Sequence, residues 1–226
     1  MIVGSGLIAN AFSSRSLPDD VLLFASGVSN SKEKRPEPFE RELNLIRQTA
    51  EANPERRIIY FSTASVMDPE LSDEPYVIHK LKCEEWLKNN TVSPLILRVT
   101  NVVGNSGNPA TVFNFFKNCI QQDIRFSLWT LACRNFIDIE DLVSITMRLI
   151  RTNDFGKTWT LANPESYPVM MIVNKIEGAL GKKAVYDEVE LGTCFNPLSN
   201  ETLRFYADNN IRFDENYLDL LISKYL

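Results

Sequence analysis

Short apolar runs alternate with helix-length amphipathic segments through the first half of the chain, and few folds accommodate that order. The apolar runs, each expected to form a strand, are Met1 to Val3, Val21 to Ala25, Ile58 to Phe61 and Leu95 to Val99. The segments expected to form the intervening helices are Leu7 to about Ser14, Phe39 to Ala52 and about Tyr76 to Lys88. Strands joined through helices build βαβ units, so this order predicts an α/β fold with a parallel sheet.

The second half of the chain continues with periodic segments and contains no separate linker. The helices expected there are about Ala110 to Gln121, Asp138 to Arg151, Val169 to Leu180 and Asn216 to Leu226. The sequence has no internal repeat and no Gly/Ser-rich run. We therefore predict a larger domain over residues 1–160, which includes inserted segments of the second lobe, and a small C-terminal lobe over residues 161–226.

Composition places the chain among globular proteins and argues against several kinds of site. Its 226 residues suffice for a sizeable core without disulfides, and 44% of them are hydrophobic. The net charge of −5 disfavours duplex nucleic acid as a partner. The four cysteines (Cys83, Cys119, Cys133 and Cys194) are widely spaced, and His79 is the single histidine. No zinc motif can be formed from that set, so no metal site is expected.

Targeting signals are also lacking in the sequence. The segment that begins Met1-Ile-Val-Gly has no basic region followed by an apolar stretch, which a secretory signal requires. No run of about 18 apolar residues occurs, so a transmembrane helix and a membrane partner are not expected. The default expectation is a cytoplasmic protein.

A glycine pattern stands between the first expected strand and the first expected helix. Gly4, Gly6 and Ala9 form GxGxxA, in which the glycines allow a tight turn and close approach of the backbone to a pyrophosphate. The small Ala9 allows the helix and strand to pack closely. The alternative is an ordinary strand-to-helix turn made of small residues.

A tyrosine and a lysine share one face of an expected helix. Tyr76 and Lys80 stand at positions i and i+4, where an ammonium can favour the phenolate and support proton exchange with a substrate oxygen. Thr63 lies among hydroxyl residues at the end of the preceding strand, the edge at which open α/β sheets bind ligands. The alternatives are a surface Tyr/Lys pair and a strand end whose hydroxyls satisfy the loop backbone.

The three patterns in this order resemble the extended short-chain dehydrogenase/reductase family, which contains nucleotide-sugar epimerases, dehydratases and ketoreductases. Further matching segments extend the resemblance over nearly the whole chain: Asp20 to Ala25, Arg98 to Gly104, Arg134 to Asp141 and Leu203 to Asn216. The resemblance implies a Rossmann-like doubly wound parallel sheet with a small C-terminal substrate lobe. It also implies NAD or NADP as cofactor and a nucleotide-linked sugar as substrate.

The resemblance assigns roles to individual residues. It implies that Thr63 binds the reacting oxygen, that Tyr76 is the acid/base, and that Lys80 lowers the pKa of Tyr76 and holds the nicotinamide ribose. Asn101 and Arg134 match positions that contact the substrate diphosphate; a strand-end turn and a surface ion pair are their alternatives. The implied cofactor-binding residues are Gly4, Gly6, Leu7, Ile8, Ala9, Phe24, Ala25, Ser26, Tyr76 and Lys80. His79 is expected to face away from Tyr76 and Lys80, and Cys83 to be a small buried side chain.

Two departures from the family pattern affect the expected cofactor site. Val3 and Ala9 stand where the family has glycines, and the strands usually second and third in the sheet are absent between the first helix and Val21. Because those strands carry the residues that read the adenosine ribose, NAD and NADP cannot be distinguished, and weak binding is expected. Their loss would also leave Met1 to Val3 at an open sheet edge.

Two functions remain open from the sequence. The first is an NAD(P)-dependent epimerase, dehydratase or ketoreductase of polysaccharide or deoxysugar biosynthesis. The second is a non-catalytic or regulatory homologue that binds a nucleotide sugar but has lost productive dinucleotide binding. For either, the resemblance implies a homodimer formed through the helices at Phe39 to Ala52 and Tyr76 to Lys88.

Overall fold

A computed structural model describes residues 1–105, 108–109 and 111–226. The strands are β1 (Ile2–Val3), β2 (Val21–Phe24), β3 (Arg57–Thr63), β4 (Leu95–Val99), β5 (Asn101–Val103), β6 (Phe126–Trp129), β7 (Cys133–Arg134), β8 (Phe136–Asp138), β9 (Thr158–Leu161), β10 (Tyr167–Pro168) and β11 (Tyr186–Val189). The α-helices are α1 (Leu7–Phe12), α2 (Pro36–Glu51), α3 (Pro75–Asn90), α4 (Val112–Gln121), α5 (Ile139–Arg151), α6 (Val169–Leu180), α7 (Asn200–Asp208) and α8 (Tyr217–Tyr225).

The chain divides into two compact units. Unit 1 comprises residues 1–100 and 139–161, and unit 2 comprises residues 101–138 and 162–226. In unit 1, five parallel strands form a sheet in the order β1-β2-β3-β4-β9. This confirms the predicted α/β class with a parallel, Rossmann-like sheet. Within the described part of the chain, β1 pairs with β2 alone and is therefore a sheet edge, as expected from the missing strands.

Helices cover both faces of the unit 1 sheet. Alternate strand residues such as Leu22, Ile58 and Ile96 pack with Ile46 of α2 and Leu87 of α3. The intervening residues point to the other face, because successive side chains of a strand alternate. There the Phe12 ring of α1 lies 6.0 Å from that of Phe61, and α1 also contacts α5. These two layers fix the ends of β3 and α3, where the candidate site lies.

Unit 2 has its own core, built mainly from helices with short strand pairs. Its buried residues include Phe116 of α4, Leu128 of β6, Ile172 of α6 and Leu221 of α8. Unit 2 also contains three two-stranded sheets, which are formed by β10 with β7, by β11 with β6 and by β5 with β8. The first predicted residue of α4, Ala110, lies outside the described residues, and the helix begins at Val112.

Candidate active site

Thr63 and Tyr76 come together at the carboxyl end of β3. Thr63 is the last residue of β3, and Tyr76 follows Pro75, which begins α3 with the backbone angle a first helical residue needs. Both side chains are buried. Burial raises the pKa of Tyr76 above its usual value, and an interaction with the Thr63 side chain opposes that rise. The structure therefore brings together two of the three residues expected to act on a substrate oxygen.

Lys80 lies one helical turn further along α3, with its Nζ 5.7 Å from the centroid of the Tyr76 ring. Only 2% of Lys80 is exposed, because its ammonium points into the interior of unit 1. Its partner is Glu42 of α2, whose Oε1 lies 2.8 Å from Nζ. Lys80 also donates to the Tyr60 hydroxyl at 3.2 Å. The expected proximity to Tyr76 is thus observed, together with an acidic partner that the sequence analysis did not identify.

Glu42 is the centre of a buried group of hydrogen bonds. Its Oε1 also accepts from the Tyr60 hydroxyl at 2.7 Å, and its Oε2 accepts from the Val28 backbone N–H at 2.7 Å. His79 Nε2 lies 3.0 Å from the same Oε2. Glu42 itself is fully buried. A sequence signal existed, since Glu42 shares the buried stripe of α2 with Ile46 and Thr49, where an acid requires a partner.

The charges of this group depend on one another. Burial alone would raise the pKa of Glu42, but the charge of Lys80 and hydrogen bonds from His79, Lys80 and Val28 lower it to about 2. Burial alone would lower the pKa of Lys80, but the charges of Glu42 and Tyr76 and the hydrogen bond to Glu42 act together against it, so that pKa is raised. Glu42 and Lys80 are therefore a buried, fully ionised pair at neutral pH.

The pKa of Tyr76 differs from the sequence expectation. Burial raises it above its usual value and the Glu42 charge raises it further, although the Lys80 charge and the Thr63 hydrogen bond act in the opposite direction. The Lys80 charge therefore acts on the pKa of Tyr76 in the expected direction, but it does not outweigh the burial of the phenol. The main cause of the raised pKa is burial of the phenol, and the Glu42 charge adds to it.

His79 and Cys83 also belong to this group. The His79 ring stacks on Phe39 with centroids 4.6 Å apart, and Cys83 Sγ lies 3.6 Å from His79 Nε2. His79 is therefore a packed, buried residue, but the expectation that it faces away from Lys80 is wrong, because both side chains contact the Glu42 carboxylate. Burial raises the pKa of Cys83 to about 12, so it is a thiol.

Three of these side chains are close enough to one another to hold a metal ion: Glu42, His79 and Cys83. The carboxylate oxygens of Glu42 already accept hydrogen bonds from Tyr60, Lys80 and Val28. The Lys80 ammonium would also repel a cation. We therefore interpret the group as a hydrogen-bonded ion pair.

The glycine pattern forms the turn between β1 and α1. Gly4 has a φ of +131°, and a Cβ there would lie 2.3 Å from the carbonyl oxygen of Ala25. A Cβ on Gly6, which precedes α1, would meet no atom within 4 Å. Ala9 is buried. Gly4 thus serves strand packing, whereas Gly6 leaves open space beside the first turn of α1, where Leu7 and Ile8 begin the helix.

The segment after β2 passes over the ion pair. Phe24 ends that strand, Ala25 donates its N–H to Val3 at 2.8 Å, and Ser26 leads to Gly27. A Cβ on Gly27 would lie 2.7 Å from Lys80 Nζ. Gly27 was not identified from the sequence, although a glycine three residues after the end of a buried strand can indicate close backbone approach.

The two expected diphosphate ligands belong to unit 2. Asn101 donates from Nδ2 to the Asn135 carbonyl at 2.8 Å, and Arg134 donates to the Cys133 carbonyl at 2.7 Å. Thr63, Tyr76 and Lys80 all belong to unit 1. The roles of Asn101 and Arg134 stay predictions.

A disulfide joins Cys133 and Cys194 in unit 2, 61 residues apart in sequence. Cys83 and Cys119 are buried free thiols. The pairing was not expected, because widely separated cysteines give no spacing signal. No helix in the described ranges has the length and apolar content that a membrane span needs.

Comparison with known proteins identifies the family of this sequence. The family model for the NAD dependent epimerase/dehydratase family matches residues 5–163. No curated protein matches the sequence significantly.

Many solved structures share the fold. RMD from Pseudomonas aeruginosa, complexed with NADPH, has a TM-score of 0.71 at 13% identity, over 100% of this chain and 97% of that one. UDP-glucuronic acid 4-epimerase from Bacillus cereus, in complex with NAD, has a TM-score of 0.72 at 19% identity, over 91% and 71%. dTDP-glucose 4,6-dehydratase from Bacillus anthracis, in complex with NAD, has a TM-score of 0.69 at 14% identity, over 97% and 76%. Likenesses at this identity show the fold, and the family match covers most of the chain, so the chain belongs to the NAD dependent epimerase/dehydratase family.

Proposed function

We propose that the protein is an NAD- or NADP-dependent epimerase, dehydratase or ketoreductase that acts on a nucleotide-linked sugar. The observation that carries this proposal is the arrangement at the carboxyl end of β3, where buried Tyr76 interacts with the Thr63 side chain and the centroid of its ring lies 5.7 Å from Lys80 Nζ. A phenol, a hydroxyl and a fixed positive charge at a sheet edge suit proton exchange with a sugar oxygen. Structural neighbours in complex with NAD, NADPH or UDP-glucuronic acid support the same class.

The dinucleotide fits only part of this unit. The open space at Gly6 can admit a pyrophosphate, and Tyr76 would lie toward the nicotinamide half. In the described residues the sheet ends at β1, on the side where the adenosine ribose would bind. When bound, the cofactor would supply hydride transfer to or from a sugar carbon. We expect weak affinity and little discrimination between NAD and NADP, because each missing charge-assisted contact costs about 1.5 to 3 kcal/mol.

Tyr76 would carry the proton of the reaction. As a sugar hydroxyl becomes a carbonyl, its O–H proton would pass to the Tyr76 phenolate; in the reverse direction the phenol would return that proton to the carbonyl oxygen, while Thr63 holds the oxygen. Because the pKa of Tyr76 is raised, the phenol is the form present at neutral pH. Steps that donate a proton are therefore favoured there, and steps that need the phenolate should accelerate as the pH rises.

The test is a panel of ligands followed by a search for product. NAD, NADH, NADP, NADPH and several UDP- and dTDP-sugars are each added to the purified protein, and the thermal unfolding midpoint is measured. Stabilisation by both a dinucleotide and a nucleotide sugar, followed by a new sugar product in NMR spectra, is the expected result. Absence of any dinucleotide effect would count against the enzyme.

A second candidate function is a non-catalytic protein that binds a nucleotide sugar. The observation that favours it is the Glu42 carboxylate, which holds the ammonium of Lys80 at 2.8 Å. The same ligand panel separates the two candidates, because this protein would respond to nucleotide sugars and to no dinucleotide. For either candidate we propose a cytoplasmic homodimer, and for the enzyme a place in polysaccharide or deoxysugar biosynthesis.

A further inference from the structure

The disulfide of unit 2 lies at the protein surface, next to the arginine that the resemblance assigned to a substrate diphosphate. Cys194 is exposed and Cys133 is half-buried. Arg134 follows Cys133 directly, and its guanidinium donates to the Cys133 carbonyl at 2.7 Å. The disulfide is therefore accessible to thiols in solution and is joined to Arg134 through one peptide unit.

The segment that carries Cys194 is held in place mainly by this covalent bond. Residues 190–199 are all described, and they contain neither a helix nor a strand. Single hydrogen bonds attach the segment to its neighbours, such as the Cys133 N–H to the Thr193 carbonyl at 3.0 Å and the Ser166 hydroxyl to the Phe195 carbonyl at 3.2 Å. A hydrogen bond between neutral groups contributes less than a disulfide that closes a long loop. The disulfide is therefore the strongest single restraint between this segment and β7.

The surroundings of the disulfide favour exchange with a thiol. An incoming thiolate can attack the exposed Cys194 Sγ, which breaks the S–S bond and leaves the electron pair on Cys133 Sγ. The positive charge of the adjacent Arg134 favours that thiolate. A second thiol of the reductant then releases Cys194, so the protein gains two thiols with their protons while two reductant thiols become one disulfide. Exposed disulfides are the ones that exchange most readily.

We propose that the Cys133–Cys194 disulfide is a reversible thiol-exchange site that controls the binding of a nucleotide-sugar diphosphate at Arg134, with a small thiol such as glutathione as the reductant. The inference deepens the proposed function and rests on it for the identity of the ligand. Because β7 has only two residues and pairs with the equally short β10, its backbone depends on further restraints. The oxidised form fixes that backbone and so holds Arg134 in place before the diphosphate binds. Reduction removes the restraint and lowers the affinity, because Arg134 must then be ordered during binding.

Nucleotide binding in both redox states tests the proposal. UDP and dTDP are the probes, and equilibrium dialysis gives their affinities for the oxidised protein, the reduced protein and the reoxidised protein. We expect about tenfold weaker binding after reduction, as for the loss of one charge-assisted contact, and recovery after reoxidation. NADH binding should change by less than about twofold, because Gly6 and Tyr76 belong to unit 1. Equal nucleotide affinity in both states would overturn the proposal.

Variants separate this control from a general effect on stability. Cys133→Ser/Cys194→Ser should bind UDP as weakly as the reduced protein and should not respond to reductant. Cys119→Ala is the matched control, since Cys119 is a buried free thiol of the same unit, and it should keep the full response. Arg134→Ala should bind weakly in both states, with affinities within about twofold of each other. A tenfold response that persists in Arg134→Ala would overturn the role given to that residue.

Hydrogen exchange of the ligand-free protein gives a second readout. Reduction should speed exchange of the Cys133 N–H and of the amides in residues 190–199, measured by mass spectrometry, and should leave the amides of α2 unchanged. Unchanged exchange in that segment would overturn the restraint on which the proposal depends. If neither UDP nor dTDP binds in either redox state, the proposed function fails, and the inference fails with it. Equal binding in both states overturns the inference alone and leaves the proposed function standing.

Discussion

Gly4 of the first turn lies directly against the carbonyl oxygen of Ala25, which a Cβ at position 4 would approach to 2.3 Å. The contact lies just beyond the paired residues Val3 and Phe24, where β1 ends beside β2. A side chain at position 4 would therefore push the two strands apart. Gly6, two residues later, has open space instead. The two glycines of one pattern therefore serve different purposes, one for the fold and one for ligand access.

Alanine substitutions should separate these purposes. Gly4→Ala is expected to lower the free energy of unfolding by about 1–3 kcal/mol or more, through the clash and the positive φ. Gly6→Ala should leave the unfolding free energy within about 0.5 kcal/mol of the unmodified protein, as an open position allows, and should weaken dinucleotide binding. Urea titration and calorimetry check both, and equal stability of the two variants would contradict the assignment.

Removing the Tyr76 hydroxyl should abolish activity without unfolding the protein. Tyr76→Phe deletes one buried oxygen that interacts with the Thr63 side chain, so the expected stability loss is about 1 kcal/mol. Because the phenol would carry the reaction's proton, we expect the turnover rate to fall by about 100-fold or more. Thr63→Val should reduce the rate by a smaller factor. Full activity of Tyr76→Phe in the product assay would refute the assigned role.

Acid should remove a measurable part of the stability through Glu42. Its pKa is lowered to about 2 in the folded protein from an ordinary 4.5, so its stabilisation is present above about pH 4.5 and is lost as the pH falls toward 2. The size is on the order of 3 kcal/mol. Urea unfolding at successive pH values should show this loss, and Glu42→Gln should have a flatter profile over the same window. An unchanged profile would mean that Glu42 does not ionise as described.

The disulfide of unit 2 should make stability depend on redox conditions. Reduction releases Cys133 from Cys194 and reopens a loop of 61 residues, which should cost about 2–4 kcal/mol. Cys194→Ser should match the reduced protein and show no further loss when reductant is added. Titration of free thiols in protein from intact cells also tests the proposed cytoplasmic location, where disulfides are rare. Two free thiols would disfavour that location, and four would support it.

An exposed apolar pair on α3 should lie in the proposed dimer interface. Ile78 and Leu81 are exposed one helical turn apart. Ile78→Glu is therefore expected to convert a homodimer to a monomer in light scattering at micromolar concentration. Val92→Glu, an exposed position beyond the end of α3, should leave the dimer intact. A monomeric unmodified protein would rule out the dimer.

The sequence predicted the first four strands and most of the helices, but it predicted neither the strands after β4, among them β9 of the central sheet, nor the ion pair. Local signals fix β4 and α6, whose observed bounds are the predicted ones. The ends of other elements differ from the predicted ones because pairing with neighbouring strands sets them. The strand expected over Ile58 to Phe61, for example, runs from Arg57 to Thr63 as β3, where it pairs with β2 and β4. The two-residue strands β7 and β10 exist only through pairing with each other, so no local pattern announces them.

The candidate site likewise contains residues that a local pattern predicts and one residue that only tertiary packing reveals. Tyr76, Lys80 and Thr63 stand in recognisable local patterns, and the sequence order alone placed them at one sheet edge. Glu42 lies 38 residues before Lys80, and only the packing of α2 against α3 shows that the two side chains meet. The raised pKa of Tyr76 follows mainly from burial of the phenol and in part from the Glu42 charge, neither of which the local sequence pattern shows.

The order in which the unit 1 sheet is completed has a consequence for synthesis on the ribosome. β4 precedes its outer neighbour β9 by about 60 residues of chain, most of which belong to unit 2. At typical elongation rates, that interval takes roughly 3–12 s. For those seconds the nascent chain carries the buried, apolar Leu95–Val99 strand with one edge unpaired, and this is when a chaperone or a premature partner could engage it.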